Sequence, residues 1–341
     1  MKIGIVGYQG SGKSSLFEWL TETAANPALS HTTQSAMATV VEPRVAPLCE
    51  IYRPKKITQA AIELVDTPGL SRTHEGSAQK LASIREASCL VMVVAAFAGN
   101  DAAADLQRFD EDLLIADLDI MGGRIERLRD QVKKPRPNRD ELQNELEALE
   151  PLLAHLESGK SLRDLEMSPD QKRATRSFQL FSEKPRLGVM NVADDVHDLS
   201  SFERLSQPGL PVVAVSLSLQ LELSRMQPED RADFCREMGV EVFDRNELVR
   251  RVMDASGQML FFTAGEKEVR TWMIQKGGTA VEAAGNIHTD LAKGFIRAEV
   301  MTCDDLFRLG SEREIKAQGL MRQEHKEYVI QDGDILLIRH N

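Results

Sequence analysis

Cysteine is scarce in this chain. Its four copies, Cys49, Cys89, Cys235 and Cys303, stand far apart, with no C-x-x-C pair among them. That pattern excludes a disulfide framework and a cysteine-built zinc site, and it suits a reducing compartment. No apolar run reaches the length of a membrane span, so no membrane association is expected. A cleavable leader is not expected either, because the first residues already read as a buried strand. Positive charge is also in deficit, with a formal net charge of −11. An acidic chain has no overall pull toward nucleic acid. DNA is therefore not an expected partner, and any RNA contact needs a local basic face. With 341 residues, 42% of them hydrophobic, the chain has apolar material for two or three domains.

The strongest signal is at the start. KIGIVGYQGSGKSSLF reads as an apolar strand (Ile3, Ile5, Val6), a glycine-rich loop and the first turn of a helix. It fits G-x-x-x-x-G-K-[ST] in full. Gly7, Gly10 and Gly12 let the backbone turn so that successive N–H groups, Ser11 among them, point inward at phosphate oxygens. The helix that opens near Lys13 adds its positive end. Lys13 suits the β- and γ-phosphates, and the Ser14 hydroxyl suits Mg²⁺, with Ser15 next in the same turn.

A polar, threonine-rich stretch follows, NPALSHTTQSA, and reads as a loop. In phosphate-loop switches a threonine in this place meets Mg²⁺. Thr32 and Thr33 are the candidates, with Thr33 taken as the metal ligand; a plain loop threonine is an equal alternative. AAIELVDTPGL then makes a strand ending at Asp66, the second Mg²⁺ anchor. Gly69 is placed to offer its N–H to the γ-phosphate. Many GTPases carry glutamine at the next position to orient the attacking water. Here it is Leu70, which cannot hydrogen-bond water.

Three apolar runs, 88–96, 186–190 and 212–215, read as buried parallel strands, each ending in a polar turn. This is the doubly wound α/β arrangement, with its site along the carboxyl ends of the strands. Asn191-Val192-Ala193-Asp194 stands where base-reading loops carry N-K-x-D. Asn191 braces the loop and Asp194 accepts from a purine base in that reading; a capping role in a turn is the alternative. Ser216 opens SLS, the place of the last base-contacting loop.

Between the two halves lie two stripes, Leu114 to Val132 and Leu142 to Leu156, with leucines recurring at steps of three and four. KKPRPN separates them. The pattern predicts an antiparallel helical hairpin whose leucines pack on each other. Gly122-Gly123 weakens the first helix and Pro151 is expected to kink the second. From Gly257 the texture changes to short strands and turns, predicting a compact α+β module.

Several stretches resemble the YchF-type P-loop ATPases of the Obg-related group: VEPRVAPLCEIYRPKKI, SIREA, LLAHLESGK, KPRLGVMNVADD and above all FFTAGEKEVRTWMIQKG with GNIHTDLAKGFIRAEV. The similarity runs through nearly the whole chain in one order. It implies a doubly wound P-loop G domain (residues 1–104 and 176–258), a helical-hairpin (coiled-coil) insertion (105–175) and a C-terminal β-grasp TGS domain (259–341). It also implies a cytoplasmic protein that binds Mg²⁺ with ATP or GTP and associates with the ribosome. Departures mark a divergent paralogue. Gly10 replaces the family's asparagine, which in related proteins helps hold a stimulating potassium ion. The turn after Asp66 is short, the first switch matches poorly, and Asp194 stands where the family has glutamate.

The expectation is a monomeric, Mg²⁺-dependent purine nucleoside triphosphatase of low intrinsic rate, acting as a switch on the large ribosomal subunit or its RNA. Two competitors remain. One is a module that nucleotide locks for ribosome binding without productive hydrolysis. The other is a P-loop kinase for a small metabolite, against which the D-T-P-G turn speaks.

Overall fold

The computed structural model describes residues 1–26, 32–70, 81–82, 84–97, 99–196 and 198–341. The chain forms two compact units. The first comprises residues 1–36 and 63–245, the second residues 37–62 and 246–341.

The first unit is built on a sheet of β1 (Lys2–Val6), β2 (Gln34–Thr39), β4 (Ala61–Asp66), β5 (Cys89–Ala96), β6 (Arg186–Val192) and β7 (Val212–Val215), in the order β2-β4-β1-β5-β6-β7. β1 pairs in parallel with β4 and β5, β5 with β6, and β6 with β7. β6 and β7 are buried along their whole length and β5 along all but its last residue, which is why they read as unbroken apolar runs rather than alternating ones. Parallel strands all end on the same side, so the loops after β1, β4, β6 and β7 gather at one edge.

The expected hairpin is present within this unit. Helices α3 (Ala102–Val132) and α4 (Arg139–Glu157) are separated by residues 133–138, preceded in the chain by α1 (Lys13–Thr21) and α2 (Val45–Tyr52). Asp101 caps α3 by accepting from the Ala104 N–H at 3.0 Å. Met121, Ile125 and Leu128 of α3 pack with Leu142, Leu146, Leu149 and Leu152 of α4 in one core. A fork from Arg124 to Glu145, at 2.7 and 2.8 Å, ties the same two helices. Both helices run unbroken, through Gly122-Gly123 and through Pro151. Tertiary packing supplies what propensity withholds: Pro151 lies on the exposed side, flanked by the buried Leu149 and Leu152.

The second unit carries a second sheet. Its strands are β3 (Ile57–Thr58), β8 (Gln258–Ala264), β9 (Val269–Gln275), β10 (Phe295–Thr302), β11 (Arg322–Glu324) and β12 (Asp334–His340), in the order β11-β10-β12-β8-β9-β3. β8 and β9 form a hairpin, β12 lies antiparallel to β10 and parallel to β8, and a helix, Ala280–Ile287, follows β9. This is the β-grasp arrangement. The segment 37–62 belongs to this unit, although the sequence places it in the nucleotide domain. The reason is packing: Val45 and Leu48 of α2 are buried in one core with Phe262, Val269, Leu306 and Ile335. β3 extends the sheet beside β9, and the Arg44 guanidinium bridges Glu42 and Asp332. Among the described residues, no helix is long and apolar enough to cross a membrane.

Candidate nucleotide site

β1 ends at Val6, and the loop that follows turns through three glycines with positive φ: Gly7 at 151°, Gly10 at 81° and Gly12 at 102°. Gly12 has a second reason to lack a side chain. A Cβ there would stand 2.4 Å from Asn191 Nδ2. α1 begins directly after it with no side-chain cap, so the first-turn N–H groups of Lys13, Ser14 and Ser15 have no acceptor within the helix. Such a helix start is an anion site.

Lys13 is buried and its Nζ donates to the Tyr8 carbonyl at 2.9 Å. The Ser14 hydroxyl donates to Asp66 Oδ2 at 2.6 Å. Asp66 closes β4, and its Oδ1 is buried with no partner among the described residues. Burial pushes the Asp66 carboxyl above its ordinary range, against the opposing pull of the Ser14 hydroxyl and the Lys13 charge. A buried carboxylate oxygen without a donor, next to a serine hydroxyl, is a donor set for a hard divalent cation. The residues present therefore fit Mg²⁺.

Gly69 lies against the phosphate loop. A Cβ on it would stand 2.9 Å from Lys13 Nζ and 2.9 Å from Gln9 Cα. Leu70 bridges Tyr8, with its N–H on the Gly7 carbonyl and its carbonyl on the Gln9 N–H, each at 3.1 Å. Its side chain is buried in the core, only 2% exposed. Thr67 fastens the same turn, donating its hydroxyl to the Ile5 carbonyl at 2.7 Å.

On the other flank, Asn191 is buried at the end of β6. It donates from Nδ2 to the Ser11 carbonyl at 3.1 Å and accepts at Oδ1 from the Leu217 N–H at 3.1 Å. One side chain thus joins the phosphate loop to both expected base-side loops. Ser216 caps the helix Leu217–Arg225 and donates its hydroxyl to Asp194 Oδ1. Asp194 itself is exposed.

The structure gathers Gly10, Ser11, Gly12, Lys13, Ser14, Asp66, Gly69, Asn191, Asp194 and Ser216 along one strand-end edge, with Ser15 in the first turn of α1. Thr33 is not part of this set. It is exposed just before β2 and makes no hydrogen bond to Ser14 or Asp66 among the described residues. Sequence reasoning passed over Tyr8. Its ring packs edge-on against Phe109 at 5.3 Å, and its hydroxyl donates to Asp112 at 2.8 Å, which fastens the phosphate loop to the root of the hairpin. An aromatic residue within the glycine loop was the available signal.

A phosphate loop on a doubly wound sheet, a metal-competent serine–aspartate pair and two base-side loops define a P-loop nucleoside triphosphatase of the GTPase class. A family model described as 50S ribosome-binding GTPase matches residues 2–120, and one for the YchF GTPase C-terminal domain, described as a protein of unknown function (DUF933), matches residues 259–341. The chain is 33% identical over 362 residues to the ribosome-binding ATPase YchF of Haemophilus ducreyi, covering 100% of this chain and 99% of that protein. It is 32% identical over 363 residues to the protein of the same name from Bacillus subtilis, covering 99% and 98%. It is 33% identical over 367 residues to Obg-like ATPase 1 of Oryza sativa subsp. japonica, covering 100% and 92%. The solved YchF GTPase of Schizosaccharomyces pombe superposes with a TM-score of 0.83 at 26% identity, covering 99% of this chain and 97% of that one. The chain belongs to the YchF family.

Proposed function

We infer that this protein is a Mg²⁺-dependent purine nucleoside triphosphatase that switches shape with its nucleotide and works on the ribosome. The observation that carries the reading is the pairing of Ser14 with Asp66 beside the glycine loop, with Asp66 Oδ1 left unpartnered. The names of its full-length relatives, ribosome-binding ATPases, support the partner and the reaction class.

The chain's own groups do most of the work by placement. Lys13 exchanges the Tyr8 carbonyl for a phosphate oxygen when a triphosphate enters. The loop N–H groups and the start of α1 stabilise charge that spreads over the γ-phosphoryl oxygens as water attacks in line. Ser14 and Asp66 would hold Mg²⁺, which would offset the negative charge of the phosphates, with Thr33 as the expected further ligand. Gly69 reports the γ-phosphate through its N–H. Asn191 keeps phosphate and base loops in register, while Asp194 and Ser216 face the base, adenine or guanine; the relatives' names favour ATP.

Leu70, at the place where many GTPases carry glutamine, is turned into the core and cannot orient water. Intrinsic turnover is therefore low and rises with a partner, for which we propose the large ribosomal subunit or its RNA. We also propose that the protein is a cytoplasmic monomer. The hairpin (105–175) and the TGS domain (259–341) serve as docking parts for the nucleotide-binding segments 1–104 and 176–258.

The buried Leu70 also favours a second reading, in which nucleotide locks the shape for ribosome binding without productive hydrolysis. Single-turnover hydrolysis of ATP and GTP with and without ribosomes decides between them. The switch reading expects slow release of phosphate alone and a rise of tenfold or more with ribosomes; no release in either condition leaves the locked module. Titrating both nucleotides against wild type and Asp194→Glu tests the base assignment. A change in the ATP-to-GTP affinity ratio is expected, and an unchanged ratio removes Asp194 from the base site.

A further inference from the structure

The turn after Asp66 is laced to the phosphate loop, and the lacing decides which side chain stands nearest a γ-phosphate. Tyr8 and Leu70 pair as a parallel bridge, and the Leu70 carbonyl accepts from the Gln9 N–H at 3.1 Å. Gly69 fits against the same residue. The three atoms nearest a Cβ built on it are Gln9 Cα at 2.9 Å, Lys13 Nζ at 2.9 Å and Gln9 N at 3.0 Å. The Lys13 ammonium rests on the Tyr8 carbonyl, which belongs to the peptide joining Tyr8 to Gln9. Gln9 therefore stands beside both groups that the proposed function assigns to the γ-phosphate, the lysine and the Gly69 N–H.

Its side chain is available. Gln9 is exposed, and its amide has no partner among the described residues. Its neighbours in the loop offer nothing comparable. Tyr8 is buried with its hydroxyl on Asp112, Gly10 has no side chain, and the Ser11 hydroxyl is shut off from solvent. A small cavity of about 50 Å³ is lined by Gln9 and Gly10 together with Asn100 and Asp105. Asp105 is buried. Asn100 is exposed and carries a second amide, but the atoms nearest Gly69 belong to Gln9 and Lys13.

A glutamine amide has both functions needed to hold an attacking water. Its carbonyl accepts from the water, and its NH₂ donates to a phosphoryl oxygen. Position 70, where many GTPases carry that residue, holds a buried leucine. Gln9 is hydrogen-bonded to that very position through the backbone.

We propose that Gln9 supplies, from the phosphate loop, the water-orienting amide that position 70 lacks. The assignment rests on the triphosphatase reading above. The water oxygen bonds to the γ-phosphorus as the bond to the β–γ bridging oxygen breaks. The neutral amide takes no proton. One hydrogen stays on the attacking oxygen, the other passes to a γ-phosphoryl oxygen, and dihydrogen phosphate separates from the nucleoside diphosphate. Orientation without proton abstraction agrees with a low intrinsic rate.

The test is single-turnover hydrolysis by the full chain, with and without ribosomes. A non-hydrolysable triphosphate analogue and the diphosphate are titrated alongside, each with Mg²⁺. Gln9→Ala should lower the rate about tenfold or more in both conditions and leave both affinities within about twofold. Asn100→Ala should change neither. Gln9→Glu should weaken the triphosphate analogue about tenfold relative to the diphosphate, because it sets a carboxylate beside the γ-phosphate. A rate that survives Gln9→Ala overturns the assignment. So does a fall matched by lost affinity for both nucleotides, a fall shared by Asn100→Ala, or equal weakening of both nucleotides by Gln9→Glu. Wild type that releases no phosphate in either condition overturns the triphosphatase reading itself, and the role of Gln9 with it.

Discussion

At the scale of single residues, the nucleotide site is organised by buried polar atoms with one partner too few. Asp66 is the clearest. Its carboxyl is raised by burial, so the native state binds protons more tightly than the unfolded chain does. A raised acid gives a stability that falls as pH rises from the unfolded value through the folded one, and levels off above it. Without metal, urea unfolding across a pH series should therefore show wild type losing stability relative to Asp66→Asn on raising pH from the acid side. A flat difference would mean Asp66 is not desolvated. Added Mg²⁺ should reverse the trend, because a divalent cation prefers the ionised carboxylate. Lys13, Ser14 and Asp66 were all legible in the sequence, because their chemistry dictates both residue type and spacing. Tyr8 was not. Its role depends on Phe109 and Asp112, residues distant in the chain that only the fold brings near.

At the scale of elements, periodicity carried the reading. The step of three and four in the leucine stripes gave both hairpin helices, and the unbroken apolar runs gave β5, β6 and β7. Packing carries the helices through Gly122-Gly123 and Pro151, where local propensity is low. If the hairpin holds by its leucine core, Leu149→Ala, which empties a fully buried position, should cost about 2–5 kcal/mol. Nucleotide affinity should change little, because the hairpin core is distinct from the one under the phosphate loop. Urea unfolding and a nucleotide titration check both halves, and an unaltered unfolding midpoint would refute the core assignment.

At the scale of the whole molecule, the boundary that sequence could not draw is the second unit's claim on residues 37–62. Composition does not change there, and the contacts that decide it join Val45 and Leu48 to residues more than two hundred positions on. A fragment of residues 246–341 alone should be less stable than one in which a linker restores 37–62. The deficit should be about 1.5–3 kcal/mol for each of those two buried side chains. Thermal unfolding followed by Trp272 fluorescence measures it, and equal midpoints would show the segment to be dispensable. The same excursion has a further consequence. The chain departs within β2, just past Thr33, and comes home within β4, just ahead of Asp66. Two of the three places where the chain passes between the units thus lie within four residues of the threonine and the aspartate proposed as metal ligands. Under the proposed switch, a shift of either crossing when triphosphate becomes diphosphate is carried along covalent strand, and a partner held by the second unit must bias the nucleotide in return.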